Sequence, residues 1–460
     1  MNWSSVKIAL LLAPLFAGCA THVDKAPPSL LIPDAWRNSV GPASAIEAGW
    51  WRAFNDADLN RLVEQGLRNN PDVLIARSRV EQYRAQLRAT QGDNFPTLDV
   101  GVNATRARTL SAATGLPGDH TVFQGLMQST YEVDIWGSRS NSIEAGRASV
   151  EAQRAAAAAA ELTVASSVAS GYLTLVALDE QLRVTRETLS TRENALQLAQ
   201  RQYETGYTSR LEWMQSASEL QTAKAQIPPL LHQINAQENA LSILVGMNPR
   251  QIARTTQFDR ITPQQLPAVL PSQLMQRRPD ILQAQRQLLA ADHSLAASQA
   301  NLLPSLNLTA SGTLQSATLN QLLENPFRLW SIGGSVLAPL LNREALTAQV
   351  DIAMSSRNQA LYGFEKVVRN AFSEVNTDLD AITRTREQIA ELEKQQQIAQ
   401  ETLRIARNRY QSGYASYLDE LDAQRTLFST QLTLVQVKNS LLLAQVDLYR
   451  ALGGGWGETQ

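Results

Sequence analysis

The chain has 460 residues, of which 18% are charged, and a formal net charge of −2 at pH 7. That balance gives no electrostatic reason to expect nucleic acid as a partner, and a single cysteine, Cys19, excludes an intrachain disulfide. Low charge density with abundant Ala, Gln, Leu, Ser and Thr suits long helices with weakly polar faces better than a compact enzyme core.

Residues 1–18 read as a secretory signal peptide. Lys7 supplies the basic start, and Ile8 to Ala17 form an apolar stretch of about ten residues, too short for a spanning helix of about 20. Leu15-Phe16-Ala17-Gly18-Cys19 resembles a bacterial lipobox, in which the cysteine becomes the lipidated first residue of the mature protein. Phe16 stands where Leu is usual, and an ordinary signal peptide with an incidental cysteine is the alternative. Ala20 follows, rather than the Asp that marks inner-membrane retention in enterobacterial lipoproteins, which implies transfer to the outer membrane. No later stretch reaches 18 apolar residues. A membrane crossing would therefore need a closed β-barrel.

Residues 19–55 are Pro-rich, carry Trp36, Trp50, Trp51 and Phe54, and read as an extended N-terminal arm. The rest is written twice. Residues 56–249 form a first repeat, 250–270 a linker, 271–456 a second repeat and 457–460 a tail. Pro71, Asp72, Pro96 and Leu98 recur 208 positions later as Pro279, Asp280, Pro304 and Leu306. Tyr203, Gly206 and Tyr207 recur 207 positions later as Tyr410, Gly413 and Tyr414. A period this long is a structural half, not a solenoid unit.

After a short helix, about 56–69, each half follows one order. A helix opens on Pro-Asp (71–92 and 279–300), with Pro suited to the first turn and Asp to its positive end. Two strands follow, at about 97–106 and 123–136, and again at about 305–315 and 328–339. The first of each pair alternates cleanly, as Leu98, Val100, Val102 and Ala104 against Asp99, Gly101 and Asn103. Their length suits tilted bilayer strands. A proline-free helix then runs over 138–205 or 342–411, about 100 Å at 1.5 Å per residue. It ends at a glycine turn, Gly206 or Gly413. A returning helix follows, 209–246, interrupted by Pro228-Pro229, and 416–452. The two shorter helices of each half, end to end, match the long one. The fold class is mixed and mainly α: long antiparallel helical hairpins with four β-strands per chain. Four strands cannot close a barrel, so closure requires oligomerisation, giving eight strands in a dimer or twelve in a trimer.

The ordered motifs resemble the TolC family of outer-membrane efflux channels, and within it the OprM/NodT-type lipoproteins. The residues that carry this are Cys19, Gly49-Trp50-Trp51-x-x-Phe54-x-Asp56-x-x-Leu59, the paired Pro-Asp segments, and the strand starts Phe95-Pro-Thr-Leu98 and Leu303-Pro-Ser-Leu306. Asp134-Ile-Trp-Gly137, the two Tyr-x-x-Gly turns, Ile227-Pro-Pro-Leu230 and Leu452-Gly-Gly-Gly-Trp456 complete it. The resemblance implies a homotrimer with a twelve-stranded barrel in outer-membrane lipid and a periplasmic helical tunnel. It also implies a periplasmic adaptor (membrane fusion protein) and an inner-membrane resistance-nodulation-division transporter as partners. The expected function is the exit duct of a tripartite multidrug efflux pump. Alternatives are a duct for metal ions or for type I protein secretion and, in another class, a soluble coiled-coil scaffold lipoprotein.

No enzyme, cofactor or metal site is expected. GxxxxGK[ST] and HExxH are absent, and His22, His120, His232 and His293 show no ligand-like spacing. The informative segment follows Gly413, at the periplasmic end of the second hairpin. Asp419 and Asp422 share a helix face, with Leu418 beside them. In a trimer they would form carboxylate rings at a gate. Ser416-x-x-Asp419 and Ser209-x-x-Glu212 also match capping boxes, so Asp419 has a structural reading. Asp422 faces Gln215 in the other copy, so the fold does not need its charge. Tyr410 is a candidate to hold the tip closed by hydrogen bonding, although its counterpart Tyr203 allows simple packing. The arginine that TolC carries two residues past the second glycine is Ala415 here.

Overall fold

The computed structural model describes residues 32–37, 49–110, 115–261, 270–324 and 328–455. The signal peptide, Cys19, Trp456 and the tail lie outside them. The elements are α1 (Ala57–Asn69), α2 (Pro71–Gly92), β1 (Thr97–Leu110), β2 (Pro117–Val133), α3 (Ser138–Glu204), α4 (Arg210–Leu244), α5 (Pro271–Arg277), α6 (Pro279–Ala300), β3 (Ser305–Ser316), β4 (Arg328–Leu337), α7 (Arg343–Gln411) and α8 (Tyr417–Ala451). The chain divides into two compact units.

One unit comprises residues 79–154 and 283–365. It holds a single antiparallel sheet in the order β1-β2-β3-β4. Thr97 pairs with Thr130, Val133 with Leu306, and Ser305 with Leu337. β2 begins at Pro117, six residues before the expected start, and ends at Val133 rather than 136. The extension is local: Leu110 pairs with Pro117, so the hairpin ladder continues past the apolar stretch used to locate the strand. At its other end Trp136 donates its indole N–H to the Pro304 carbonyl at 2.7 Å, and Ser138 bonds Asn301 at 2.6 Å. These bonds tie the start of α3 to the start of β3.

The other unit holds the described residues up to 78, with 155–282 and 366–455. Its core draws on both repeats: Trp50, Phe54, Leu59, Val168, Tyr172, Leu173, Leu241, Val446 and Tyr449 are buried together. Trp50–Phe54, expected in the extended arm, is a buried 3-10 turn, and Trp50 stacks on Tyr449 at 5.2 Å. The burial of large aromatic area outweighs the extended preference of the Pro-rich segment before it. Asp56 caps α1, accepting from Asp58 N at 2.8 Å and Leu59 N at 2.9 Å. Its other oxygen takes the Tyr172 hydroxyl at 2.8 Å. Burial, then that carboxylate, pushes the phenol above its ordinary value.

Pro228 and Pro229 do not interrupt α4, contrary to expectation. Two missing N–H groups remove two bonds from a 35-residue helix. Ile227 and Leu230 on either side pack against the core and hold the segment in place. The first part of the 250–270 linker is also fastened. Arg254 binds Asp179 and Glu238, and Thr255 donates to Asp58 through its amide at 2.9 Å and its hydroxyl at 2.8 Å. α3 is apolar enough over one window to cross a membrane by composition. In this unit that apolarity is used internally, since Val164, Val168, Tyr172, Leu175 and Val176 are buried in the core.

Candidate functional site

The sheet has two chemically opposite faces. In an antiparallel ladder, directly opposed residues point the same way. Leu98, Val100, Val102 and Ala104 of β1 therefore share a face with Phe123, Met127, Tyr131 and Val133 of β2. Leu306, Leu308, Ala310 and Leu314 of β3, with Trp330, Ile332 and Val336 of β4, complete it. Val102 is 82% exposed, Trp330 79% and Ile332 79%, so these positions have no protein cover among the described residues. The opposite face is mostly polar, with Asp99, Asn103, Thr105, Gln124, Gln128, Glu132, Asn307, Ser311, Thr313, Gln315 and Ser331, although Val122, Leu126, Leu329 and Leu337 also lie on it. Ser311 and Ser331 bond across it at 2.9 Å. Among the described residues, β1 and β4 each leave one edge unpaired. An uncovered apolar face with two open edges is stable only against lipid and with further strands supplied.

The second site is the helix turn region of the other unit. α3 and α7 end at Gly206 and Gly413, with φ of 79° and 78°. No atom crowds either position, so backbone conformation alone calls for glycine there. In both turns the amide after the glycine closes the motif: Tyr207 N reaches Gln202 O and Tyr414 N reaches Arg409 O, each at 2.8 Å.

The two turns then diverge. Tyr203 stacks on Trp213 within its own hairpin at 5.3 Å. Tyr410 instead points its hydroxyl at the first hairpin, 3.2 Å from the Glu212 carboxylate and 3.3 Å from Gln202 Oε1. Burial, then the Glu212 charge, pushes its phenol above the ordinary value, so it stays a donor at any physiological pH. A cleft of about 340 Å³ opens beside it, lined by Gln202, Arg407, Tyr410, Tyr417, Glu420 and Gln424 among others.

The other candidates stand apart from Tyr410. Leu418, Asp419 and Asp422 are exposed on the first turns of α8. Asp419 is used locally, its carboxylate accepting from the amide and hydroxyl of Ser416, each at 3.1 Å. This is the capping geometry. Asp422 makes no hydrogen bond or ion pair among the described residues, and its nearest charged influence is on Arg425. Gln215, its counterpart, is half-buried.

Sequence reasoning missed a buried ion network one to two turns further along. Glu219 of α4 is buried and pairs with Arg192 of α3 at 3.1 Å and with Arg425 of α8. Arg192 also donates to the Glu219 carbonyl at 2.8 Å and lies over the Phe428 ring at 5.5 Å. Burial lowers its pKa, with Glu219 opposing. Within the second hairpin Arg407 pairs with Glu420 at 3.2 Å. Thus Glu219–Arg425 and Glu212–Tyr410 both join the first hairpin to the second. The signal was present: at the 207-residue offset Glu219 faces Thr426, Arg425 faces Ser218 and Arg192 faces Ala399. The same comparison that singled out Asp422 would have found all three.

This architecture has known relatives. The family model described as outer membrane efflux protein matches residues 62–247 and 270–454. The chain is 31% identical to the probable outer membrane lipoprotein SilC of Salmonella typhimurium, over 92% of each chain. It is 31% identical to the pyoverdine export outer membrane protein OpmQ of Pseudomonas aeruginosa, over 98% of each. The solved open state of the MtrE outer membrane channel of Neisseria gonorrhoeae superposes with a TM-score of 0.85 at 26% identity, covering 94% of this chain and 97% of that one. An uncovered sheet face suited to lipid, a polar face suited to a lumen, and matches over nearly the whole chain lead to one assignment. The chain belongs to the outer membrane efflux protein family, as an outer-membrane channel protein and not an enzyme.

Proposed function

We propose that three copies of this chain close one barrel and form the exit duct of a tripartite multidrug efflux pump. The observation that carries this reading is the four-stranded sheet with one apolar face and two unpaired edges. Because the strands alternate direction, β4 of one copy meets β1 of the next antiparallel, and three copies supply twelve strands. The polar face then lines the lumen. Cys19 becomes the lipidated first residue of the mature chain after removal of residues 1–18. A periplasmic adaptor and an inner-membrane resistance-nodulation-division transporter feed the duct and provide its energy, since the duct itself moves cargo passively.

Within this reading the helix turns form the periplasmic tip. Tyr410–Glu212 and Arg425–Glu219 hold the second hairpin against the first, and release of these links widens the aperture. The three exposed Asp422 carboxylates form a ring that favours cations. Asp419 acts first as the cap of α8, and Leu418 lines the same mouth.

Deletion of the gene tests the multidrug reading: it sensitises cells to several unrelated drugs, and a plasmid copy restores resistance. Sensitisation to metal cations alone, or loss of a secreted polypeptide with unchanged drug resistance, would refute it in favour of a narrower cargo. The similarity to OpmQ, a pyoverdine export protein, supports a small organic cargo. A detergent-extracted, heat-modifiable species of three times the chain mass tests the trimer.

A further inference from the structure

The four strands contain three arginines, Arg106, Arg108 and Arg328, and no lysine. All three lie on the apolar, outward face. No arginine lies on the polar face, which carries His120 as its one basic side chain. All three also lie toward the hairpin ends of their strands, away from the helices. A cation on a lipid-facing position is costly at the bilayer centre and nearly neutral at its boundary, so their height matters.

The apolar rows of that face run from Val133, beside Leu306 and Val336, up to Phe123 beside Ala104. Ten residues of strand span about 34 Å, or about 26 Å of membrane depth at a tilt of about 40°. That equals the apolar band of an outer-membrane barrel, about 25 Å. Arg106 is the next outward residue beyond Ala104, and Arg108 the one after it. They therefore sit at the polar boundary of the outer leaflet.

The local charge is not balanced. Arg106 and Arg108 share one carboxylate, Asp119, at 3.5 and 4.0 Å, and the two arginine side chains are 76% and 74% exposed. Arg328 opens β4 on the same face, on the rung of Leu314, Gly125 and Val102, and donates to the Leu323 carbonyl at 3.5 Å. β1 and β4 are the edge strands, so closure of the barrel brings Arg328 of one copy beside β1 of the next.

We propose that Arg106 and Arg108, aided by Arg328 of the adjoining copy, form a binding site for the phosphates of the outer-leaflet glycolipid. Guanidinium groups suit phosphate oxygens through paired N–H bonds, the apolar rows below suit acyl chains, and the site faces the only leaflet rich in phosphorylated glycolipid. The proposal rests on the barrel reading above.

The test uses the full-length protein purified from outer membranes in mild detergent and then exchanged into nanodiscs. Retained glycolipid is counted per chain by mass spectrometry of its 3-hydroxy fatty acids. Each arginine contributes about fivefold to retention of an anionic headgroup, so R106S/R108S lowers it about twenty-five-fold. Asp119→Asn, which removes the competing carboxylate, raises retention; a variant that gains lipid cannot be explained by misfolding. Nanodiscs holding bisphosphorylated lipid A, its dephosphorylated form, or phosphatidylglycerol separate the sources. Preference for the bisphosphorylated form supports the site. Equal retention of the dephosphorylated form, equal retention of phosphatidylglycerol, or an unchanged double variant overturns it. Heat-modifiable migration and single-channel conductance report the barrel independently. Their loss in the wild type overturns the barrel reading itself, whereas their persistence with unchanged lipid retention overturns only the glycolipid site.

Discussion

Removing two of the links between the hairpins, Tyr410–Glu212 and Arg425–Glu219, opens the tip without unfolding it. Tyr410→Phe deletes a hydroxyl that sits 3.2 Å from Glu212 and 3.3 Å from Gln202. A single donor at these lengths is worth about 1 kcal/mol. Arg425→Met deletes the partner of Glu219, and the Arg425 side chain is 52% exposed. A pair so open to solvent contributes about 1 kcal/mol at most. Together the changes cost about 2 kcal/mol per chain, a shift of about thirtyfold toward the open tip. Glu219→Ala would leave Arg192 buried with no counter-charge, at about 3–5 kcal/mol, and would damage the fold rather than the gate. The assay is the open-time fraction of single channels in planar bilayers, with uptake of a large antibiotic by intact cells beside it. Tyr203→Phe is the control, since that ring keeps its stack on Trp213. The double variant raises both readouts, and either single variant raises them by about the square root of the combined effect. An intact trimer with unchanged open time and uptake refutes the view that these contacts hold the tip.

Cys19→Ser abolishes labelling of the mature protein by radioactive palmitate; persistent labelling excludes this cysteine as the acceptor. Asp422→Ala lowers cation preference in the same bilayer recordings, whereas Asp422→Glu preserves it. An unchanged reversal potential in the alanine variant counts against the carboxylate ring. Asp378 on α7 provides a pH test. Burial first, then Asp447 and Glu374, push its carboxyl up to about 7, against Arg450 and Arg278. A raised carboxylate pKa means the folded state holds its proton more tightly than the unfolded chain. The residue therefore costs no stability near pH 4 and becomes destabilising as pH rises to about 7. Asp378→Asn is more stable than wild type by about 1 kcal/mol at pH 8, after allowance for solvent screening, and the gain vanishes near pH 4. Equal melting temperatures at pH 8 refute that assignment.

Much of the architecture was legible because period and length are one-dimensional quantities. Alternation located the strands, the proline-free runs located α3 and α7, and the glycine turns located their ends. The errors fell where tertiary packing competes with local preference. Trp50–Phe54 belongs to a core formed by segments some 400 residues apart in sequence, from Trp50 to Tyr449, and no local signal encodes that stack. Pro228-Pro229 reads as a break because propensity counts lost hydrogen bonds, not the packing of Ile227 and Leu230. In the turn region Asp422 and Tyr410 were visible as differences or matches between the copies. Glu219 also differs from its counterpart Thr426, but a glutamate in a polar helix reads as solvated until the fold buries it.

The open edges of β1 and β4 bear on inheritance as well as on assembly. A subunit whose edge strand is damaged still offers one sound edge, so it can enter a ring and prevent its closure. In a cell making sound and damaged copies equally, only about one ring in eight would contain three sound subunits. Loss of the gene should then be recessive, but lesions confined to one edge strand should be dominant, acting through mixed rings and not through missing protein.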